Sequence, residues 1–168
     1  MGRDVIAHAG GIMCRPVGNR LMASGRLSHI AASARAVRQI AGALDEFCLQ
    51  ERLPPDVAWQ LRVAVDEIVS NIVTHASAGA APAIDVDFRR EGNAVEIAIA
   101  DDGPAFDPFG RPDPDVSAPL DAREPGGLGI FLVKSLMDDV RYTRTAKNVV
   151  TLYKRLRPVS LPGEHGVS

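Results

Sequence analysis

The sequence predicts an α/β (α+β) two-layer sandwich, in which a mixed, mostly antiparallel sheet is covered on one face by about three helices. Two segments, which begin near Leu27 and Val57, repeat apolar residues every three or four positions and so predict amphipathic helices. Residues 84–88 and 94–100 instead alternate apolar and polar side chains around a Glu-Gly-Asn turn, which predicts a β-hairpin. A third helix begins near Gly127.

Length and composition favour one globular domain. The 168 residues are 46% hydrophobic and 24% charged, which is enough to build a sizeable core. Residues 1–18 show no clear period and are interpreted as an N-terminal arm, 19–157 as the domain, and 158–168 as an irregular C-terminal tail. The net charge of −2 predicts no direct binding of nucleic acid or anionic membrane.

Cysteine usage and hydropathy bound the compartment. Cys14 and Cys48 lack the spacing of metal ligands, and Cys48 lies on an apolar helical face, where it is expected to be core rather than reactive. No apolar run approaches about twenty residues, so no membrane span is expected. We therefore expect a cytoplasmic protein.

The first two helices are separated by a proline pair. The first helix is predicted from Leu27 to about Cys48, and residues 19–24 before it form a possible short edge strand. Pro54-Pro55 ends this helix, and Asp56 is predicted to be the N-cap of the next one, which runs from about Val57 to Ala76.

A polar line follows the second helix beside its apolar stripe. Glu67, Asn71 and His75 are four residues apart and share one face, whereas Asp66 points about 100° away and is assigned a structural role. A solvated helix edge is one interpretation. The other is a phosphate site, in which the Asn71 amide oxygen holds Mg²⁺ and Glu67 accepts a proton.

Two further motifs suit a nucleotide. Asp101-x-Gly103 follows the strand that ends the hairpin, and a carboxylate beside a glycine can accept a hydrogen bond from a planar ligand such as adenine. Gly127-x-Gly129 opens the third helix, where exposed N–H groups and the helix dipole favour anions. A plain turn and tight packing are the simpler alternatives, and neither GxGxxG nor GxxxxGK[ST] is present.

The remaining segments complete the sheet and suggest a lid. The Pro-rich stretch 107–125 has little periodicity, and we interpret it as a mobile lid or else as a surface loop. Arg111 and Arg123 within it are candidates for phosphate contacts. Residues 140–143 and 149–156 predict two strands, with Thr151 and Tyr153 on one face.

Taken in order, the three motifs resemble a known superfamily. Glu67-x-x-x-Asn71, Asp101-x-Gly103 and Gly127-x-Gly129 resemble the N, G1 and G2 boxes of the GHKL ATPases, which share the Bergerat ATP-binding fold. VDEIVSNIVTHA, DDGPAFDP and GGLGIFLVKSLMDDVRY are similar to the small bacterial anti-sigma-factor serine/threonine kinases. The resemblance covers about Leu27 to Leu156.

The resemblance implies ATP and Mg²⁺ as cofactors and a role for each matching residue. It makes Glu67 the catalytic base, Asn71 the magnesium ligand, and Asp101 with Gly103 the adenine reader. It assigns the remaining nucleotide contacts to the phosphate side and to a late strand: Gly127, Leu128, Gly129 and Thr151. Many members continue Asp-x-Gly-x-Gly where this chain has Ala105, which affects the details of the loop.

The resemblance also implies a partner-switching kinase. Such a protein phosphorylates a STAS-type anti-sigma-factor antagonist and sequesters a sigma factor, and a homodimer is expected on the same ground. An ATP-gated binding module without phosphoryl transfer is the alternative, and a stand-alone ATP hydrolase is a third option. Glu67 separates the first two, since a pure switch needs no base.

Overall fold

A computed structural model of the chain describes residues 24–75, 81–110, 112 and 128–157. These residues form one five-stranded sheet in the order β1-β2-β3-β5-β4, with three helices. The elements are β1 (Ser24–Ala31), α1 (Ala34–Gln50), α2 (Pro55–His75), β2 (Ala83–Glu91), β3 (Ala94–Asp101), α3 (Leu128–Leu136), β4 (Asp139–Arg144) and β5 (Asn148–Arg155).

The predicted two-layer α/β sandwich is confirmed. All strand pairings in the described part of the chain are antiparallel, so the sheet there is more uniform than the mixed sheet expected from the sequence. The predicted hairpin is present as β2 and β3, joined at Gly92, which has a φ of 62° that glycine adopts without strain. None of the helices in the described ranges has the length and apolar character needed to cross a membrane.

The predicted start of the first helix at Leu27 is wrong. Leu27 and Ile30 belong to β1, which pairs with β2, and α1 begins only at Ala34 after the N-cap Ser33. A register shift between Leu27 and Ile30, with His29 at a φ of 60°, marks a β-bulge. The bulge lengthens the apolar spacing from two residues to three, which mimics a helical period.

The second helix begins two residues earlier than predicted. Pro55 is its first residue, a position that suits proline because the first helical N–H needs no partner within the helix. Asp56 therefore lies in the first turn and is not the N-cap, which corrects the prediction. At this position its negative charge interacts favourably with the positive end of the helix dipole.

The core lies between the inner face of the sheet and the helices. Phe47 of α1 stacks on Phe88 of β2 with ring centroids 5.7 Å apart. The other large, fully buried side chains come from α1, α2 and every strand from β2 to β5 except β4: Ile40, Leu44, Leu61, Ile68, Ile84, Ile97, Ile99 and Leu152. Cys48 belongs to this core as predicted, and burial, with a smaller contribution from Asp45, raises the pKa of its thiol to about 11.

The outer face of the sheet is polar, and Asp85 connects distant parts of it. Its Oδ1 accepts the His29 backbone N–H at 2.8 Å, and its Oδ2 pairs with Lys147 Nζ at 2.6 Å. Burial opposes ionisation of Asp85, but these hydrogen bonds outweigh it, so the pKa of the carboxyl lies below its ordinary value. Asp85 thus ties the bulge of β1 to the turn between β4 and β5.

Replacing Asp85 by asparagine is expected to destabilise the protein at neutral pH but not in acid. Because the pKa of folded Asp85 is depressed, its contribution is complete above the unfolded pKa of about 4 and is lost as pH falls through the folded pKa. Urea titrations of Asp85→Asn and wild type should therefore differ at pH 7, and the difference should shrink progressively as the pH falls below about 4. Asp87→Asn is the control, because Asp87 lies 3.8 Å from Arg26 in a looser pair. A gap that persists in acid would contradict the assignment.

Candidate functional site

A cavity of about 200 Å³ opens between the C-terminal half of α2 and the ends of β3 and β5. Most of its wall is apolar, with a few polar side chains among them, which is typical of a site for a planar organic group. The polar residues in the wall are Asn71, His75, Asp101 and Asn148. The predicted residues Asn71, Asp101 and Gly103 are thus brought together, although they come from separate segments.

Asp101 is the last residue of β3 and is buried, with 8% of its surface exposed. Its Oδ1 accepts the backbone N–H of Gly103 and the side-chain Nδ2 of Asn148, both at 2.9 Å. Its Oδ2 has no hydrogen-bond partner among the described residues. A carboxylate oxygen left in this way can accept a hydrogen bond from a ligand amino group.

Gly103 has a steric reason to be glycine. A Cβ at this position would lie 2.8 Å from Asp101 Oδ1, closer than real Cβ contacts allow. Any larger residue would therefore disturb the turn that closes on Asp101. The close approach expected of this glycine is made by Asp101 itself.

Asn148, which the sequence analysis missed, is the hub of this turn. It is 4% exposed, and its Nδ2 also donates to the Pro104 carbonyl at 2.8 Å. Its Oδ1 accepts from Tyr142 Oη at 2.9 Å and from the guanidinium of Arg144. Because donors surround one end of the amide and acceptors the other, the orientation of the side chain is fixed.

Thr151 lies away from the cavity. The inner face of β5 carries Val150 and Leu152, and successive strand residues point to opposite faces. Thr151 therefore lines a polar groove on the outer face, which it shares with Tyr153 and Glu96. The adenine contact that the resemblance assigns to Thr151 is not compatible with this position, and Asn148 is the polar residue of β5 that lines the cavity. The sequence signal for Asn148 was its spacing: it lies two residues before Val150, so the two side chains point to the same face of β5.

The C-terminal end of α2 forms the opposite wall. His75 Nδ1 donates to the Asn71 carbonyl at 2.8 Å, and its ring stacks on Phe106 at 4.6 Å. The stack joins α2 to the turn after β3, in agreement with the structural role expected for His75. Ala105, the departure from the superfamily pattern, also lines the cavity.

The side chain of Asn71 suits Mg²⁺. Within the described residues its amide makes no hydrogen bond, and no group of three or more His, Cys, Asp or Glu side chains is placed to form a metal cage. Mg²⁺ keeps several waters and commonly takes only one or two protein oxygens together with substrate phosphates. The donor set therefore fits this ion when a nucleotide supplies the other oxygens.

Glu67 lies one turn before Asn71 and meets the start of α3. A Cβ built on Gly129 would lie 2.0 Å from Glu67 Oε2, so the carboxylate rests against the first turn of α3.

The other predicted residues near the phosphates are only partly described. Leu128 opens α3 and is 51% exposed. Gly127 lies outside the described residues, as do Arg111, Arg123 and most of the predicted lid. Asp66 pairs with Arg62 at 2.9 Å, as a structural acid would.

Comparison with known proteins bears on the whole domain. Residues 30–154 match the family of histidine kinase-like ATPase domains. Over 119 residues the chain is 33% identical to the serine/threonine-protein kinase BtrW of Bordetella bronchiseptica, a match that covers 70% of this chain and 84% of that protein. It is 29% identical over 106 residues to the serine-protein kinase RsbW of Bacillus thuringiensis, which covers 58% of this chain and 63% of the relative.

A solved structure has the same fold. The crystal structure of the RsbU and RsbW domains of a Mycobacterium tuberculosis protein superposes with a TM-score of 0.59 at 20% identity. The match covers 81% of this chain and 33% of that one, so the chain spans about a third of the solved protein. These matches confirm the resemblance that the three motifs indicated, and the chain belongs to the histidine kinase-like ATPase domain family.

Proposed function

We propose that this protein is an ATP-dependent serine/threonine protein kinase that transfers the γ-phosphate of Mg·ATP to a small protein. The observation that supports this best is that Asn71 of α2 and Asp101 at the end of β3 line one open cavity. Glu67, one turn before Asn71 on α2, lies against Gly129 of α3. The names of the kinase relatives BtrW and RsbW agree with it.

ATP binds with its base in the apolar cavity. Asp101 Oδ2 accepts a hydrogen bond from the adenine amino group, while Gly103 and Asn148 hold Oδ1. The phosphates extend toward the start of α3, where Leu128 and Gly129 offer backbone N–H groups at the positive end of the helix dipole. Gly127 is proposed as a third phosphate contact from the sequence motif alone. Asn71 would hold Mg²⁺, and the ion would supply neutralisation of the charge on the phosphate oxygens.

Glu67 acts as the general base. A serine or threonine hydroxyl of the substrate attacks the γ-phosphorus, and its proton passes to the Glu67 carboxylate. The bond between the γ-phosphorus and the bridging oxygen breaks, and ADP leaves with that oxygen on its β-phosphate. The side chain lies one helical turn from Asn71, so both groups reach the same end of the nucleotide. Positioning and charge stabilisation supply most of the rate enhancement in such reactions.

The protein acts in partner switching as an anti-sigma factor. Its substrate is a STAS-type antagonist, phosphorylation releases that antagonist, and the freed kinase sequesters a sigma factor in the cytoplasm, with a homodimer as the working unit. A non-catalytic, ATP-gated binding switch of the same fold is the second candidate. The carboxylate of Glu67 beside α3 favours the kinase, because a switch has no use for a base there.

Glu67→Gln should abolish transfer while ATP still binds. The amide keeps the shape of the side chain but cannot take the proton, so the rate should fall by about 10²–10⁴. Intact-mass measurement of candidate antagonists after incubation with Mg·ATP tests this, with Glu46→Gln on the exposed face of α1 as control. Unchanged transfer by Glu67→Gln would show that Glu67 is not the general base. If the wild-type protein binds ATP but transfers no phosphate, the non-catalytic switch is favoured.

Asp101 and Asn148 should determine nucleotide affinity, whereas Thr151 should not. Loss of a hydrogen bond to a charged group costs about 1.5–3 kcal/mol, so Asp101→Asn should raise the Kd for ATP at least about tenfold. Asn148→Ala should raise it several-fold, because Asp101 loses a bond that orients it.

Calorimetry with Mg·ATP measures these affinities, and thermal melting verifies that each variant is folded. Thr151→Ala is the matched control, since Thr151 lies on the outer face of β5. A higher Kd for ATP in Thr151→Ala, together with an unchanged Kd in Asn148→Ala, would contradict the site as described.

A further inference from the structure

We propose that Gly129 positions the Glu67 carboxylate for the reaction. The carboxylate lies in a space beside Gly129, here called its seat, that exists because position 129 has no Cβ. The inference rests on the proposed function, in which Glu67 is the base. It differs from the role in phosphate binding that the sequence motif suggests for Gly129. The seat is formed by the first turn of α3 against the middle of α2.

The contact is specific to one side chain. A Cβ on Gly129 would lie 2.0 Å from Glu67 Oε2, 2.6 Å from Cδ and 3.3 Å from Oε1, and these are its three nearest neighbours. Ordinary van der Waals contact begins at about 3.4 Å, so the carboxylate and a Cβ cannot occupy this place together. The group that would have to move is the flexible end of Glu67 and not the backbone.

The helix gives no reason for glycine at this position. Position 129 is the second residue of α3, and glycine has a lower helix propensity than alanine. The φ of Gly129 is not among the positive values found in the described chain, so its backbone does not require glycine. The space taken by the Glu67 carboxylate is the reason that the structure offers for it.

The consequence for the reaction is selective. A general base must lie within hydrogen-bond reach of the proton it accepts, about 2.6–3.2 Å between heavy atoms. A methyl group at position 129 displaces the carboxylate from its seat while leaving Asp101, Asn148 and the apolar cavity untouched. Turnover should therefore be lost without a matching loss of nucleotide affinity, which is the opposite of the effect of changing Asp101.

The first experiment compares Gly129→Ala with Gly42→Ala. Gly42 lies in α1, and a Cβ there meets nothing within 4 Å, so it is the same substitution in a helix without a neighbour. Because alanine keeps the backbone N–H that is proposed to face the phosphates, Gly129→Ala should bind Mg·ATP within about twofold of wild type, while kcat falls to the level of Glu67→Gln. Gly42→Ala should keep both. Wild-type turnover in Gly129→Ala, or a loss of ATP affinity with kcat unchanged, would overturn the proposal.

The second experiment is a rescue. Glu67→Asp withdraws the carboxylate by about one carbon–carbon bond, about 1.5 Å, which makes room for the alanine methyl. Glu67→Asp alone should be slower than wild type, but in the Gly129→Ala background it should raise kcat above that of Gly129→Ala. Purely structural damage at position 129 would not be repaired in this way. Equal or lower kcat in the double variant would count against the seat.

The third measurement needs no activity. Urea unfolding of Gly129→Ala, Glu67→Ala and the double variant forms a cycle that isolates the contact between the two positions. With Glu67 removed, Gly129→Ala should raise the unfolding midpoint, and with Glu67 present it should raise it less. Additive shifts would overturn the proposal. Absence of transfer by wild type would instead refute the proposed function, while the cycle still decides whether Gly129 seats Glu67.

Discussion

The hydrogen bond between Asn148 and Asp101 is the interaction on which the candidate site depends. It joins the first residue of β5 to the last residue of β3, which are directly opposite each other on neighbouring strands, and both residues are buried. A buried charge is costly without hydrogen bonds, and the two donors on Oδ1 lower that cost. Because both donors bind Oδ1, Oδ2 is the oxygen proposed to accept a hydrogen bond from a ligand. The same amide holds the carbonyl of Pro104, so recognition and loop shape are linked.

Glycines serve the two functional carboxylates in parallel ways. Gly103 leaves room for Asp101, and Gly129 leaves room for Glu67, with a Cβ at either position falling inside contact distance. Each carboxylate is thus packed against main chain, where a side chain would push it away. In the proposed site the two glycines lie at opposite ends, Gly103 beside the cavity proposed for adenine and Gly129 on the helix proposed to face the phosphates.

The core explains why separate segments can form one site. Ile68 lies on α2 one residue after Glu67 and is buried against the sheet, so packing of its apolar stripe fixes which way the polar line faces. The alternation of β5 does the same for Asn148, because Val150 and Leu152 must point toward the helices. The polar residues are therefore placed by the burial of their apolar neighbours. The stack of His75 on Phe106 then closes the turn against the helix.

The sequence by itself determined the fold class, the hairpin, the presence of three helices and the motifs that identify the family, because these depend on local periodicity and on residue types at short spacing. It misjudged Leu27, since a β-bulge at His29 changed the apolar spacing to one that resembles a helix. The family resemblance implied Thr151 as the nucleotide contact and gave no role to Asn148. Only the tertiary structure placed Asn148 at the cavity, because the face on which a strand residue lies depends on the register with β3 and on which side the helices cover. Likewise, no local pattern shows that Gly129 touches Glu67, a contact between residues far apart in the chain that exists only once α2 and α3 pack together.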